Sequence, residues 1–346
     1  LRRAGNPKFS IMRYFSFLLL LLFFASCKKE PVSPVDTTPY VLELPPHFPY
    51  PDIPEDNQLT EARVTLGKKL FFEPALSVDS SITCGSCHKQ SLAFADELPI
   101  SPGVRGRLGF RNSPTLANLA YLTKVNKDGG VPKLDIQALV PIEDHAEMDL
   151  PILHAAERLN ADLEYVEAFQ RAYGEPANPF TITRALGAFQ RTLISANSTY
   201  DQYLMGEVSL NAAAERGRQL FFSDATNCSS CHGGFNFTEN GFFNNGLYET
   251  YEDWGRRRVT GLPEDDGVFR VPTLRNIALT APYMHDGSLP DLQAVLEHYN
   301  AGGTTHPNKD SRIRSLGLST EQLADLEAFL HTLTDTSFLI YQRFKP

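Results

Sequence analysis

The chain has 346 residues, with 41 acidic against 32 basic side chains and a net charge of −9 at pH 7. That balance excludes a nucleic-acid binder, which needs a cationic face for phosphates, and leaves room for a basic protein partner. Five cysteines in so long a chain exclude a small disulfide framework.

Residues 1–11 lack the pattern of a leader and read as lying upstream of a true start at Met12. From Met12 the chain runs Arg13-Tyr14, an apolar stretch from Phe15 to Phe24, then Ala25-Ser26-Cys27. A positive start, a short apolar core and small residues before a cut site predict a secretory signal over residues 1–27. The apolar run is too short to span a bilayer well. Cysteine directly after Ala-Ser resembles a lipobox, so Cys27 is expected to carry a lipid anchor on the membrane; an ordinary signal with a free cysteine is the alternative. Either way the mature protein leaves the cytoplasm, for the periplasmic side of a bacterial envelope. Eight prolines between Pro31 and Pro54 then predict an extended tether over 28–57 that does not pack.

The rest of the chain repeats itself. Gly67 to Phe72 (GKKLFF) precedes Cys84-Gly85-Ser86-Cys87-His88, and Gly217 to Phe222 (GRQLFF) precedes Cys228-Ser229-Ser230-Cys231-His232. Downstream, Arg184 to Ile194 matches Leu323 to Leu333, both with apolar residues at helical spacing. Strand signals are few, and the Gly/Asn/Asp-rich stretch 239–267 reads as loops. Two C-x-x-C-H motifs starting 144 residues apart have a chemical reason. On a helix, cysteines three apart share a face, so both thiols can add to the two vinyl groups of one haem. The histidine that follows reaches the iron as proximal ligand. A zinc site from C-x-x-C pairs expects about 15–20 residues between pairs and would not call for a histidine after each. The expected fold is therefore mostly α: two tandem c-type cytochrome domains, 58–205 and 206–346, each wrapped around one covalently attached haem. Cys84, Cys87, Cys228 and Cys231 would hold two haem c groups, with His88 and His232 as axial ligands.

With these residues in hand, the chain resembles the bacterial dihaem cytochrome c peroxidases and their relative MauG, over roughly residues 58–336. The resemblance rests on LGKKLFFEPALS before the first motif, RNSPTLAN at 111–118, the P-I…E-M element at 141–148 and VPTLRNIALTAPYMHDGSL at 271–289. It implies that the N-terminal haem is the peroxide site and that the C-terminal haem stores or relays electrons. It implies Glu147 as the acid–base group for peroxide cleavage, with Gln137 and Pro141 matching the family's glutamine and proline before it. It implies a calcium ion between the haems on Asn112, Thr280 and Pro282, where oxygen ligands suit a hard cation, and a part in electron passage for His285.

Three positions depart from the peroxidases. Many of those carry a histidine before R-N-S-P that blocks the peroxide haem until reduction; here the position is Val104, which cannot ligate iron. Where peroxidases place a methionine as far ligand of the second haem, Tyr299 stands fourteen residues after His285, as in MauG; Met284 and His298 are the other candidates. Where the family has a tryptophan between the haems, this chain has Lys127; its one tryptophan is Trp254. Three functions are in play: a peroxidase reducing hydrogen peroxide with electrons from a small c-type cytochrome, a MauG-like oxidase of a protein side chain, and a dihaem electron carrier without catalysis.

Overall fold

A computed structural model describes Leu1, Gly5 and residues 34–346. The leader, Cys27 and the first residues of the tether lie outside the described residues. From Glu61 the chain is helices joined by long loops: α1 Glu61–Phe71, α2 Cys84–Cys87, α3 Leu139–Glu143, α4 Ile152–Asn160, α5 Leu163–Tyr173 and α6 Pro179–Arg191. Then come α7 Thr199–Leu204, α8 Ala212–Phe221, α9 Arg257–Thr260, α10 Leu292–Ala301, α11 Thr320–His331 and α12 Thr336–Ile340. One antiparallel ribbon of β1 Phe242–Phe243 and β2 Phe269–Arg270 completes the described elements. Among the described residues no helix is long and apolar enough to cross a membrane.

Local chemistry explains the principal helix starts. Thr60 accepts from the Arg63 N–H, Asn211 from Ala214 and Asp291 from Ala294, each meeting one of the donors a first turn leaves free. Asn178 caps α6 and Pro179 takes its first position, where a missing N–H is no loss. Ser319 and Gln322 cap α11 reciprocally.

Each half is organised by one helix crossing. In the first, α1 packs on α6 so closely that a Cβ at Gly67 would fall on the Ala185 carbonyl; in the second, α8 meets α11 and a Cβ at Gly217 would fall on the carbonyl of Asp325. Glycine is required at both because backbone touches backbone. The amphipathic stretches read at 184–194 and 323–333 are these closing helices, displaced by a few residues. Two apolar cores result, one around Leu70, Phe71, Phe94 and Phe189, the other around Phe221, Phe237 and Phe329.

The unpacked tether is corrected from residue 34 onward. Tyr40, Leu42 and Phe48 are buried, and the Tyr40 N–H donates to the Leu59 carbonyl at 3.1 Å. The prolines stiffen this segment, so its apolar residues dock with less conformational entropy to lose. His47 reaches Asp201 at 2.9 Å, and Asp201, fully buried, is gripped by both terminal nitrogens of Arg275 at 2.8 and 2.9 Å. The C-terminal tail crosses the other way: Phe338 and Phe344 join the core of the first half against Phe94.

Candidate active site

The two C-x-x-C-H segments have matching surroundings. Cys84 accepts from the His88 N–H at 3.0 Å and Cys228 from the His232 N–H at 3.0 Å, so each motif closes one helical turn, α in the first and 3-10 in the second. Gly85 is small because the Phe72 ring lies where its Cβ would be. His88 Nδ1 faces the Phe94 carbonyl at 2.9 Å, and His232 Nδ1 faces that of Phe237 at 3.3 Å. A carbonyl only accepts, so each Nδ1 must carry the proton, leaving the Nε2 lone pair for a metal. Phe94 and Phe237 both take left-handed φ values, 59° and 51°, to bring those carbonyls round.

Beside the second motif lies a cavity of about 280 Å³ that Cys228, Cys231 and His232 line together with Tyr299, Met284 and His285. Its walls are otherwise largely apolar, among them Phe221, Leu292, Val295, Leu296 and Leu330. Paired thiols, a histidine with a free Nε2 and an apolar slot fit a covalently held haem c. The first motif has the same thiols and the same oriented histidine. Burial pushes the Cys84 thiol up to about 12, with Cys87 and Glu147 adding to it. Burial likewise takes Cys87 to about 11, and Glu147 contributes there too. Glu147 is thus an electrostatic neighbour of both thiols.

The turn after α3 holds Glu147. The Glu147 N–H donates to Asp144 at 3.0 Å, the Met148 N–H to Pro141 at 3.1 Å, and Met148 is buried beneath. The Val104 N–H donates to the Glu147 carbonyl at 2.8 Å, and Gly103 has no room for a Cβ against Ala146 and Glu147. Val104 is itself fully buried. The Glu147 side chain is exposed, yet crowding by the protein, with the Asp144 charge second, pushes its carboxyl up to about 7. Gln137, one turn before Pro141, has its side-chain amide 3.4 Å from Asn126 Oδ1.

In the second cavity Asn245 Nδ2 donates to Tyr299 Oη at 3.5 Å and lies 3.3 Å from Met284 Sδ, so these two candidate ligands share one polar neighbour. His298 instead points its Nε2 to the Asn245 carbonyl at 3.1 Å and does not line the cavity. Burial raises the Tyr299 phenol above its ordinary range. His285 stacks on Phe269 at 4.2 Å and 21°, and burial lowers its imidazole to about 4. The backbone joins this loop to the first half, since the Asn112 N–H donates to the His285 carbonyl at 2.8 Å. Asn112 Nδ2 donates to Leu98 at 3.1 Å, and Thr280 Oγ1 to Ile277 at 3.3 Å.

Arg111 and Arg270 escaped the sequence reading, as did the meeting of Lys127 with Arg270. Arg111 grips Asp253 at 2.6 and 2.9 Å and Asp128 at 2.7 Å, tying loops of the two halves together. Its place inside R-N-S-P was the only signal. Lys127 and Arg270 line the second cavity, and nothing in the sequence marks them as neighbours. Trp254 is half-exposed, with Arg257 over its ring.

Comparison with known proteins agrees with this geometry. Residues 61–209 match the family model described as di-haem cytochrome c peroxidase, and residues 214–334 match that of cytochrome c. The methylamine utilization protein MauG of Methylorubrum extorquens is 38% identical over 81% of this chain and 80% of its own length. Cytochrome c551 peroxidase of Pseudomonas aeruginosa is 33% identical over 80% of each chain. A solved MauG-like protein associated with microbial copper homeostasis superposes with a TM-score of 0.84 at 35% identity, over 88% of this chain and 99% of that one.

Proposed function

The chain belongs to the di-haem cytochrome c peroxidase family, and we propose on that footing that it reduces hydrogen peroxide to water with electrons from a small c-type cytochrome or a similar donor. The carrying observation is the first site: Val104, which has no metal-binding atom, is buried against the backbone of Glu147, whose carboxyl sits at about 7. Haem c when bound supplies the iron and the redox equivalents. Cys84, Cys87 and His88 hold one such group, and Cys228, Cys231 and His232 the other, in domains bounded at 58–205 and 206–346.

Glu147 is the proton carrier in this reading. Its carboxylate takes the proton from the near oxygen of peroxide and returns it to the leaving oxygen, work that suits a group poised near neutrality. Gln137 and Pro141 shape the cleft beside it. Tyr299 would close the second site as a phenolate when haem c is bound, and His285 would lie on the path of the electrons. A calcium ion on Asn112, Thr280 and Pro282 would brace the region where the Asn112 N–H meets the His285 carbonyl. A lipid on Cys27 would hold the protein to a membrane on the periplasmic side.

Steady-state turnover of peroxide with a reduced small cytochrome c tests the reading directly. Turnover that saturates in both substrates supports it; no oxidation of the donor counts against it. A MauG-like oxidase of a protein side chain is the second reading, favoured by Tyr299 lining the second cavity beside Met284. A pure electron carrier is disfavoured by a first site that offers Val104 and Glu147 rather than a second ligand.

A further inference from the structure

Of the four cations that line the C-terminal cavity, Arg312 is paired with Asp310 and Arg314 is exposed to water, whereas Lys127 and Arg270 are recessed and have no acidic partner. The chain brings them together through the backbone, where the Arg270 N–H, on β2, donates to the Lys127 carbonyl at 2.7 Å. Their side chains then find only neutral acceptors. Lys127 Nζ donates to the Met284 carbonyl at 3.3 Å; Arg270 donates from Nε to Asn126 at 3.3 Å and from Nη1 to Val271 at 3.4 Å. Among the described residues neither forms an ion pair.

The carboxylates nearby are already engaged. Asp253 and Asp128 are held by Arg111, and Asp286 accepts from the Tyr248 hydroxyl at 2.6 Å. Burial disfavours the charge on both cations, and Arg270 and Arg111 act further against Lys127, only partly offset by Asp286 and Asp253. Two like charges held together in a recess with no counter-ion cost several kcal/mol, so the arrangement calls for an anion between them. The cavity they face is the one whose thiols and histidine fit haem c, a ligand that is apolar except for its two carboxylate arms.

We propose that Lys127 and Arg270 form a clamp for the propionate carboxylates of the C-terminal haem, with Lys127 supplying a fixed positive charge where relatives place a tryptophan. The proposal rests on the two-haem reading. It gives Lys127 a role that packing alone would not: a cation paired with the propionates would oppose the ferric state, so the clamp would raise this haem's reduction potential against the lowering expected from a phenolate ligand.

The test is a redox titration of the holoprotein, followed in the visible spectrum, for Lys127→Met, Lys127→Arg and Arg270→Met. Haem content is measured alongside by pyridine haemochrome, and folding by circular dichroism. In Lys127→Met and Arg270→Met the C-terminal haem should become harder to reduce, by on the order of tenfold in its ferric-to-ferrous ratio at fixed poise, about 59 mV for one electron. Lys127→Arg should restore the parent value, and resonance Raman should show the propionate bending band shifted only in the methionine variants. Unchanged potentials in both methionine variants, with two haems bound, overturn the clamp. A wild-type potential that tracks added inorganic phosphate also overturns it, because the cations would then serve a free anion. Fewer than two haems in the parent protein would instead remove the two-haem reading beneath it.

Discussion

In the N-terminal half Phe71 meets Phe94 with ring centres 6.0 Å apart at 74°, and Phe189 at 5.3 Å; in the C-terminal half Phe221 meets Phe237 at 6.0 Å and 65°, and Phe329 at 5.2 Å. The glycine at each helix crossing, the phenylalanine pair after it and the left-handed phenylalanine that orients each histidine all recur. The halves differ in the other groups that surround each motif. The first offers Val104 and a near-neutral Glu147, the second Tyr299 and Met284 beside one shared amide. One frame therefore carries two chemistries, because the frame fixes only the attachment and the near histidine. Segments outside the repeat supply the rest: the turn after α3 for Glu147, a loop for Met284 and helix α10 for Tyr299.

The largest expected effect separates the halves by activity. Glu147→Gln keeps size and hydrogen-bonding capacity, so both haems and the fold should survive while peroxide turnover falls by about 10²–10⁴, the usual cost of losing an acid–base group. Unchanged turnover would return Glu147 to the status of a surface carboxylate. A smaller effect should treat the halves alike. Gly67→Ala and Gly217→Ala each force a methyl onto a backbone carbonyl, and each should cost about 1–3 kcal/mol in chemical denaturation. A loss at one site alone would break the equivalence of the two crossings.

The smallest effect is a pH limb. The Glu147 carboxyl is held up near 7 by crowding of the protein around it and then by Asp144, so the base form needed for the first proton transfer is lost as pH falls through about 7. The rate at low peroxide should fall on the acid side of that value with unit slope, and the limb should vanish in Glu147→Gln. A limb that persists in the variant assigns the titration elsewhere.

The recurring frame was largely legible in the sequence because its signals are local. C-x-x-C-H, the Gly-x-x-Leu-Phe-Phe run and the 3.6-residue periodicity of 184–194 and 323–333 each depend on neighbours a few positions away. The tether misled for a physical reason: eight prolines announce an extended chain, but an extended chain can still bury Tyr40, Leu42 and Phe48 along its length. Asp201 with Arg275 and His47, and Lys127 with Arg270, could not be read ahead. Each unites residues far apart in sequence whose charge acquires meaning only when burial removes water around it. His298 and Tyr299 are adjacent in sequence, and only their placement on α10, one toward the Asn245 backbone and one lining the cavity, distinguishes them.

The central claim, one open and one closed haem on a common frame, meets its most direct test in cyanide titration of the as-isolated ferric protein. The account predicts one equivalent bound per chain without prior reduction, and a second equivalent only after Tyr299→Phe. No binding before reduction would mean that another residue closes the first site, and two equivalents in the parent protein would mean that Tyr299 does not close the second.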